Sequence, residues 1–153
     1  MAARVDVRIQ SADFDASAEA DCLTAGLPDV GAIVTFTGVC RADRERLAAL
    51  ELEHYPGMAE AEIGRICTEA AARWPVQALC AIHRVGVIRP GENIVLVIAA
   101  SSHRQAAFDA AGFVMDFLKS RAPFWKKEHL STGQQGDWVD AKESDEDALK
   151  RWE

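Results

Sequence analysis

The sequence predicts a single α+β domain with a mainly antiparallel sheet and two long helices. Three observations lead there. Strand patterns recur as neighbours joined by turn residues, two helical patterns are long and well separated, and the alternation of strands and helices is too irregular for a doubly wound array. The chain has 153 residues, 49% hydrophobic and 27% charged. That is enough for one complete hydrophobic core and too little for two large ones, so residues 1–153 form one domain in this reading.

Val5, Val7 and Ile9 alternate with polar residues, the pattern of a half-buried strand. FDASAEADCLTA reads as a short helix and LPD as the turn after it. VGAIVTFTGVC is rich in β-branched residues and predicts a largely buried strand, while LAALELEHY alternates with period two and predicts another. RADRER between them is polar and charged with no tight-turn signature, which predicts an exposed, mobile loop. In GMAEAEIGRICTEAAARW, residues Met58, Ala61, Ile63, Ile66, Ala70 and Trp74 fall near helical spacing, and Pro75 ends the helix.

QALCAIHRVGVI and ENIVLVIAAS predict strands on either side of the turn RPGE. A second long helix is expected from Ser102 to about Arg121, with Phe108, Ala111, Val114 and Leu118 near one face. FWKKEHL and DWVDA suit a hairpin around STGQQG, and SDEDALKRWE suits a solvated terminal helix.

The formal net charge of −7 argues against non-specific binding to nucleic acid or to an anionic membrane. The N-terminus MAARVDVRIQ alternates apolar and polar residues, unlike a secretory signal, and no later segment approaches the roughly 20 apolar residues that span a bilayer. The expected location is therefore cytoplasmic. Cys22, Cys40, Cys67 and Cys80 form no C-x-x-C pair, so neither a metal site nor a redox motif is expected, and no cofactor is implied. Cys40 beside Arg41 is either a packed thiol or a thiolate of lowered pKa.

Against the acidic background, KSRAPFWKKEHL gathers Lys119, Arg121, Lys126 and Lys127 with no acid before Glu128. Cations are favourable at a helix C-terminus in any case. A lysine held against an aromatic near other cations is also a usable proton donor or acceptor near neutral pH. If the chain is extended after Pro123, Phe124 and Lys126 share one face, Trp125 and Lys127 the other.

At the opposite end of the same helix, Ser102 and Gln105 fit a capping box, leaving His103 and Arg104 beside the positive end of the helix dipole. These two are either an anion site or ordinary surface residues. A straight helix separates His103 from Lys119 by roughly 24 Å. Either they serve different sites, or a dimer brings one end of the helix to the opposite end of its mate. Arg41, at the mouth of the charged loop, is placed to grip a phosphate through two parallel hydrogen bonds. His54, His83 and His129 show no ligand spacing and read as structural.

In order along the chain, TFTGVCR, LELEHYPGM, AIHRVG, PGE, SSHRQAAFDA, MDFLKSRAPFWKKE and DWVDAKESD resemble the family of large, catalytic subunits of molybdopterin synthase. The resemblance spans about residues 31 to 145, with HYPGM and KSRAPFWK its most specific parts. It implies an α/β hammerhead-type fold and a homodimer within a heterotetramer, each copy binding a small ubiquitin-like sulfur-carrier subunit. The carrier's C-terminal Gly-Gly tail would end in a thiocarboxylate. Two sulfurs, one per carrier, would pass to cyclic pyranopterin monophosphate and open its cyclic phosphate to give molybdopterin.

Carried onto this chain, the resemblance implies catalytic roles for Lys119 and Lys126. It implies substrate contacts at Val39, Cys40, Arg41, His103, Arg104, Lys127, Glu128 and Lys142. Departures from the family pattern are a shorter RADRER loop, Lys142 where some relatives carry arginine, and Cys40 in place of an aliphatic residue. Two other readings remain at this stage. One is a non-catalytic module that binds a ubiquitin-like tail or a phosphate ligand, and the other is a thiol enzyme using Cys40.

Overall fold

The runs ALCAI and IVLVIAA are apolar on consecutive rather than alternate residues, which suits strands covered on both faces. The structure, a computed structural model, describes residues 2–136, 138 and 147–153. In chain order the elements are β1 (Arg4–Gln10), α1 (Ala16–Thr24), β2 (Ala32–Val39), β3 (Leu47–His54), α2 (Met58–Arg73), β4 (Val76–Arg84), β5 (Gly86–Ile88), β6 (Asn93–Ser101), α3 (Arg104–Ser120) and β7 (Phe124–Leu130). A 3-10 turn at Lys150–Trp152 follows.

The strands make two sheets, one ordered β1-β4-β6-β2 and the other β5-β3-β7. Among the described residues every pairing of these strands is antiparallel except β1 with β4. β4 and β6 hold the centre of the larger sheet. Leu79, Ala81, Val95, Val97 and Ala99 meet α2 and α3 through Ile63, Ile66, Phe113 and Val114 on one face. Cys80, Ile82, Leu96 and Ile98 meet Leu23 of α1 on the other. The smaller sheet closes a third cluster of Cys40, Leu47, Leu52 and Ile88. No helix among the described residues is long and apolar enough to cross a membrane.

Several expectations are corrected. β2 is an edge strand rather than a buried one, because among the described residues only β6 pairs with it, and Ile33, Phe36 and Val39 stay exposed. The run QALCAIHRVGVI is two strands. Gly86, with φ of 90°, turns the chain after β4 so that β5 joins β3 in the other sheet, a turn that a residue with a Cβ resists. The buried face of α2 is Ala59, Ile63, Ile66, Cys67 and Ala70, with Met58 exposed at its start. Phe108 likewise points to solvent, and Ala106, Ala107, Ala110, Ala111, Phe113 and Val114 make the core face of α3.

The Ser102–Gln105 capping box does not form. The Ser102 hydroxyl donates to the Asp29 carbonyl at 2.9 Å and accepts from the Gln77 amide at 2.6 Å, while the Gln105 amide donates to Asp109 at 3.1 Å. His103 is the N-cap instead, without a side-chain hydrogen bond to the first turn. Gly31 allows this arrangement, since a Cβ there would lie 2.3 Å from the Ser102 carbonyl oxygen.

The C-terminal turn is docked rather than solvated. Leu149 is buried, and the Trp152 indole stands edge-on to Trp74 and Phe113 with centroids 5.4 and 5.6 Å away. After β7 the chain does turn back. Leu130 N–H donates to the Gln134 carbonyl and Gly136 N–H to the Glu128 carbonyl, both at 2.8 Å. Apart from Trp138, the expected return strand DWVDA lies outside the described residues, as does the start of SDEDALKRWE.

Candidate functional site

Proline cannot continue a helix, so α3 ends before Pro123 and the chain re-enters as a strand at Phe124. Lys119, in the last turn of α3, is thereby kept near the start of β7. β7 pairs antiparallel with β3 in the register His54↔Phe124, Leu52↔Lys126, Glu51↔Lys127 and Leu50↔Glu128. Directly opposed residues share a face, so Phe124, Lys126 and Glu128 lie with Leu50 and the buried Leu52. Trp125, Lys127 and His129 lie on the other side with Glu51 and Glu53. The expected division of the two lysines between faces is therefore what the strand produces.

On the first face, the Phe124 ring stacks on the imidazole of His83 with centroids 3.9 Å apart. His83 Nδ1 lies 2.8 Å from the Arg84 carbonyl. A carbonyl only accepts, so this contact places the ring proton on Nδ1. Burial pushes the imidazole down to about pKa 4 against the raising effect of the hydrogen bond to the Arg84 carbonyl, and the positive charge of nearby Lys119 adds to the lowering. The sequence reading treated His83 as structural, and no spacing rule could have placed it here, because the contact joins β4 to β7.

On the second face, the Lys127 ammonium sits 4.5 Å from the centre of the Trp138 ring, a cation–π contact. Trp125 meets Tyr55 edge-on at 4.5 Å. His129 Nε2 lies 2.9 Å from Glu51 Oε1.

Arg41 follows β2 on an exposed loop. Arg41, Ala42, Asp43, Arg44 and Arg46 line an open cavity of about 830 Å³. Arg46 crosses from this loop to Glu128 of β7, Nη2 to Oε2 at 3.1 Å. The sequence reading missed Arg46, which lies 82 positions from its partner. Val39 is exposed beside a register shift at Gly38/Val39. Cys40 is buried, with Sγ 3.8 Å from the Ile88 carbonyl, and its own N–H and C=O are bonded to Glu92 and Gly91. Burial raises its thiol pKa, the direction opposite to that of an activated thiolate.

His103 and Arg104 are exposed at the far end of α3. The structure therefore puts Lys126 and Glu128 on one face of β7, sets Lys119 in the last helical turn before that strand, brings the Arg41 loop to Glu128, and leaves His103 and Arg104 roughly 24 Å from Lys119 within one chain. Lys142 lies outside the described residues.

Asp6, Glu19 and Cys80 place one potential ligand atom each within 4.8 Å of one another. Both carboxylates are already ion-paired with Arg8, and burial pushes the Cys80 thiol up to about 12. The arrangement is an ion-pair network under α1.

The family model described as "MoaE protein" matches residues 9–121. The molybdopterin synthase catalytic subunit of Mesorhizobium japonicum is 68% identical over 146 residues, covering 95% of this chain and 92% of that protein. The solved molybdopterin biosynthesis MoaE protein from Burkholderia ambifaria superposes with a TM-score of 0.83 at 46% identity, covering 97% of each chain. The crystal structure of molybdopterin synthase from Staphylococcus aureus superposes with a TM-score of 0.77 at 27% identity, over 86% of this chain and 94% of that one.

Proposed function

Since this chain belongs to the MoaE protein family, we propose that it is the catalytic subunit of molybdopterin synthase, a sulfurtransferase of molybdenum cofactor biosynthesis. Its substrate is cyclic pyranopterin monophosphate. The sulfur arrives on the C-terminal Gly-Gly thiocarboxylate of a small ubiquitin-like carrier. A protein whose relatives are catalytic subunits implies a second kind of subunit, and the carrier fills that place in a heterotetramer built on a homodimer. The reaction belongs in the cytoplasm, with neither nucleic acid nor membrane as partner.

The observation that carries this reading is the placement of cations at both ends of α3, with Lys119 in its last turn just before the strand of Lys126 and Glu128, while His103 and Arg104 stand at the other end. In a homodimer whose α3 helices run past each other in opposite directions, His103 and Arg104 of one copy meet Lys119 and Lys126 of its mate. Arg41, His103 and Arg104 hold the phosphate and pterin end, aided by the uncapped first turn of α3.

The chemistry follows from the atoms that must move. The thiocarboxylate sulfur bonds to a carbon of the pterin side chain, displacing oxygen and opening the cyclic phosphate. Water then cleaves the bond between that sulfur and the carrier's acyl carbon, releasing the carrier as a carboxylate. A second carrier places sulfur on the neighbouring carbon, whose oxygen leaves as water, and loss of a proton forms the carbon–carbon double bond of the dithiolene. Lys119 meets the acyl oxygen, where negative charge develops as water adds. Lys126 delivers and accepts the protons. Glu128, Lys127 and Lys142 complete the substrate contacts, and Val39 and Cys40 fix the position of Arg41. Every cysteine of this chain is a bystander, because the sulfur comes from the carrier.

The test is to combine the protein with thiocarboxylated carrier and the pyranopterin substrate and measure dithiolene product. Stoichiometric product formation supports the reading. Inactivity under conditions where a relative turns over sinks it.

A further inference from the structure

Asp43, Arg44 and Glu45 follow one another with φ of 51°, 55° and 65°. None is glycine, and a run of residues with a Cβ in left-handed backbone persists only where its surroundings hold it. Arg46 is what holds it. Its guanidinium grips Asp43 Oδ2 through Nε at 3.0 Å and Nη2 at 2.8 Å, and Nη2 also reaches Glu128 Oε2 at 3.1 Å. The Arg46 carbonyl accepts the Ser131 N–H at 2.8 Å, Leu47 N–H donates to the Ala42 carbonyl at 3.0 Å, and the Ser131 hydroxyl donates to the Glu45 carbonyl. The hydrogen bond from Arg46 lowers the Asp43 pKa, so the pair remains charged at neutral pH.

We propose that Arg46 is a positioning residue of the sulfur-transfer site: by bridging Asp43 and Glu128 it locks the loop that carries Arg41 onto the strand that carries Lys126. Two consequences follow for a phosphorylated substrate. The Arg41 guanidinium is presented from a fixed backbone, so little ordering is left to be done on binding. The Glu128 carboxylate is also neutralised by its partner, where an unpaired negative charge would repel the phosphate. The inference rests on the sulfur-transfer reading for its kinetic effect, and on geometry alone for the tethering.

Both parts are tested with Arg46→Ala, Arg46→Lys, Glu128→Gln and the double variant Arg46→Ala/Glu128→Gln, each in complex with the thiocarboxylated carrier. In the wild-type background Arg46→Ala is expected to raise KM for the pyranopterin roughly tenfold, with kcat changed less than about twofold and Tm unchanged. In the Glu128→Gln background it should cost less, because the charged tie to β7 is already lost and only the grip on Asp43 remains to be removed. Arg46→Lys keeps the charge but cannot span both carboxylates as a fork, so it should restore only part of KM.

Limited trypsin digestion gives a readout independent of turnover. Cleavage after Arg41 or Arg44 should be faster in Arg46→Ala and in Glu128→Gln than in the wild type. Unchanged KM, an equal cost of Arg46→Ala in both backgrounds, or unchanged cleavage rates would each overturn the proposal. An inactive wild-type complex counts against the sulfur-transfer reading, and the digestion still decides whether Arg46 tethers the loop.

Discussion

The imidazole of His83 lies flat on the ring of Phe124, 3.9 Å between centroids and 15° between planes. This contact fastens the central strand β4 to β7, the strand that carries Lys126 and Lys127. It has a consequence for stability as well as for the site. Burial holds the His83 ring neutral in the folded protein down to about pH 4, whereas an unfolded histidine takes up its proton near 6.5.

Above pH 6.5 the ring is neutral in both states and contributes no slope. As pH falls from 6.5 toward 4, only the unfolded chain gains the proton, so stability drops by up to about 3 kcal/mol across that window. Below about 4 both states carry it and the slope ends. His83→Phe keeps a stacking ring without a titrating group. Denaturant unfolding at pH 7 and at pH 4.5 should show the wild type losing about 2 kcal/mol more than the variant over that interval. Equal losses would remove His83 as the source.

Lys119 is exposed at a helix end, where a substitution changes stability little. Lys119→Ala should therefore leave Tm unchanged while lowering dithiolene production at least about a hundredfold at saturating substrate. A non-catalytic binding module would instead lose affinity. Full activity in this variant would exclude Lys119 from the mechanism.

The thiols separate by burial. Cys22 is exposed on α1, whereas Cys40, Cys67 and Cys80 are buried, and burial pushes the latter two up to about 12. Alkylation of the native protein at pH 8 should modify Cys22 quickly and the other three only after unfolding. Cys40→Ser should remain active. Rapid native labelling of Cys40, or loss of activity in Cys40→Ser, would revive a thiol mechanism.

What could be read from the sequence follows from where each signal resides. β4 and β6 were legible because a strand covered on both faces leaves a continuous apolar run. The two faces of β7 followed from alternation once Pro123 had ended the helix. β2 misled because an apolar strand looks the same at the edge of a sheet as at its centre, and only the pairing distinguishes them. Ser102 and Gln105 matched a capping box locally, yet the Ser102 hydroxyl was taken by Asp29 and Gln77, distant in sequence. Lys119, Lys126 and Lys127 sit within one short segment, so the cluster stands out in the sequence. His83 and Arg46 reach Phe124 and Glu128 of β7 from distant elements, and no local pattern marks them.

The docking of the C-terminal turn predicts a cost for removing it. Trp152 Nε1–H and Arg151 Nη2 both donate to Asp116 Oδ2 at 2.6 Å, and Arg73 donates to the Trp152 carbonyl at 2.7 Å. Trp152→Ala should destabilise the fold by about 2–3 kcal/mol through lost aromatic packing and the loss of one of the hydrogen bonds to Asp116. Denaturant unfolding measures it, and a loss below about 0.5 kcal/mol would show the turn to be a loosely attached end.

The shared site is tested most directly by complementation between two inactive copies. Lys119→Ala and His103→Ala variants, unfolded together and refolded as a mixture, should each be nearly inactive alone. If each site takes His103 from one copy and Lys119 from the other, half of the dimers in the mixture contain one intact site of two. Turnover with thiocarboxylated carrier should then recover to roughly a quarter of the wild-type rate. A mixture that forms mixed dimers yet stays as inactive as its components would contradict a site built across two copies.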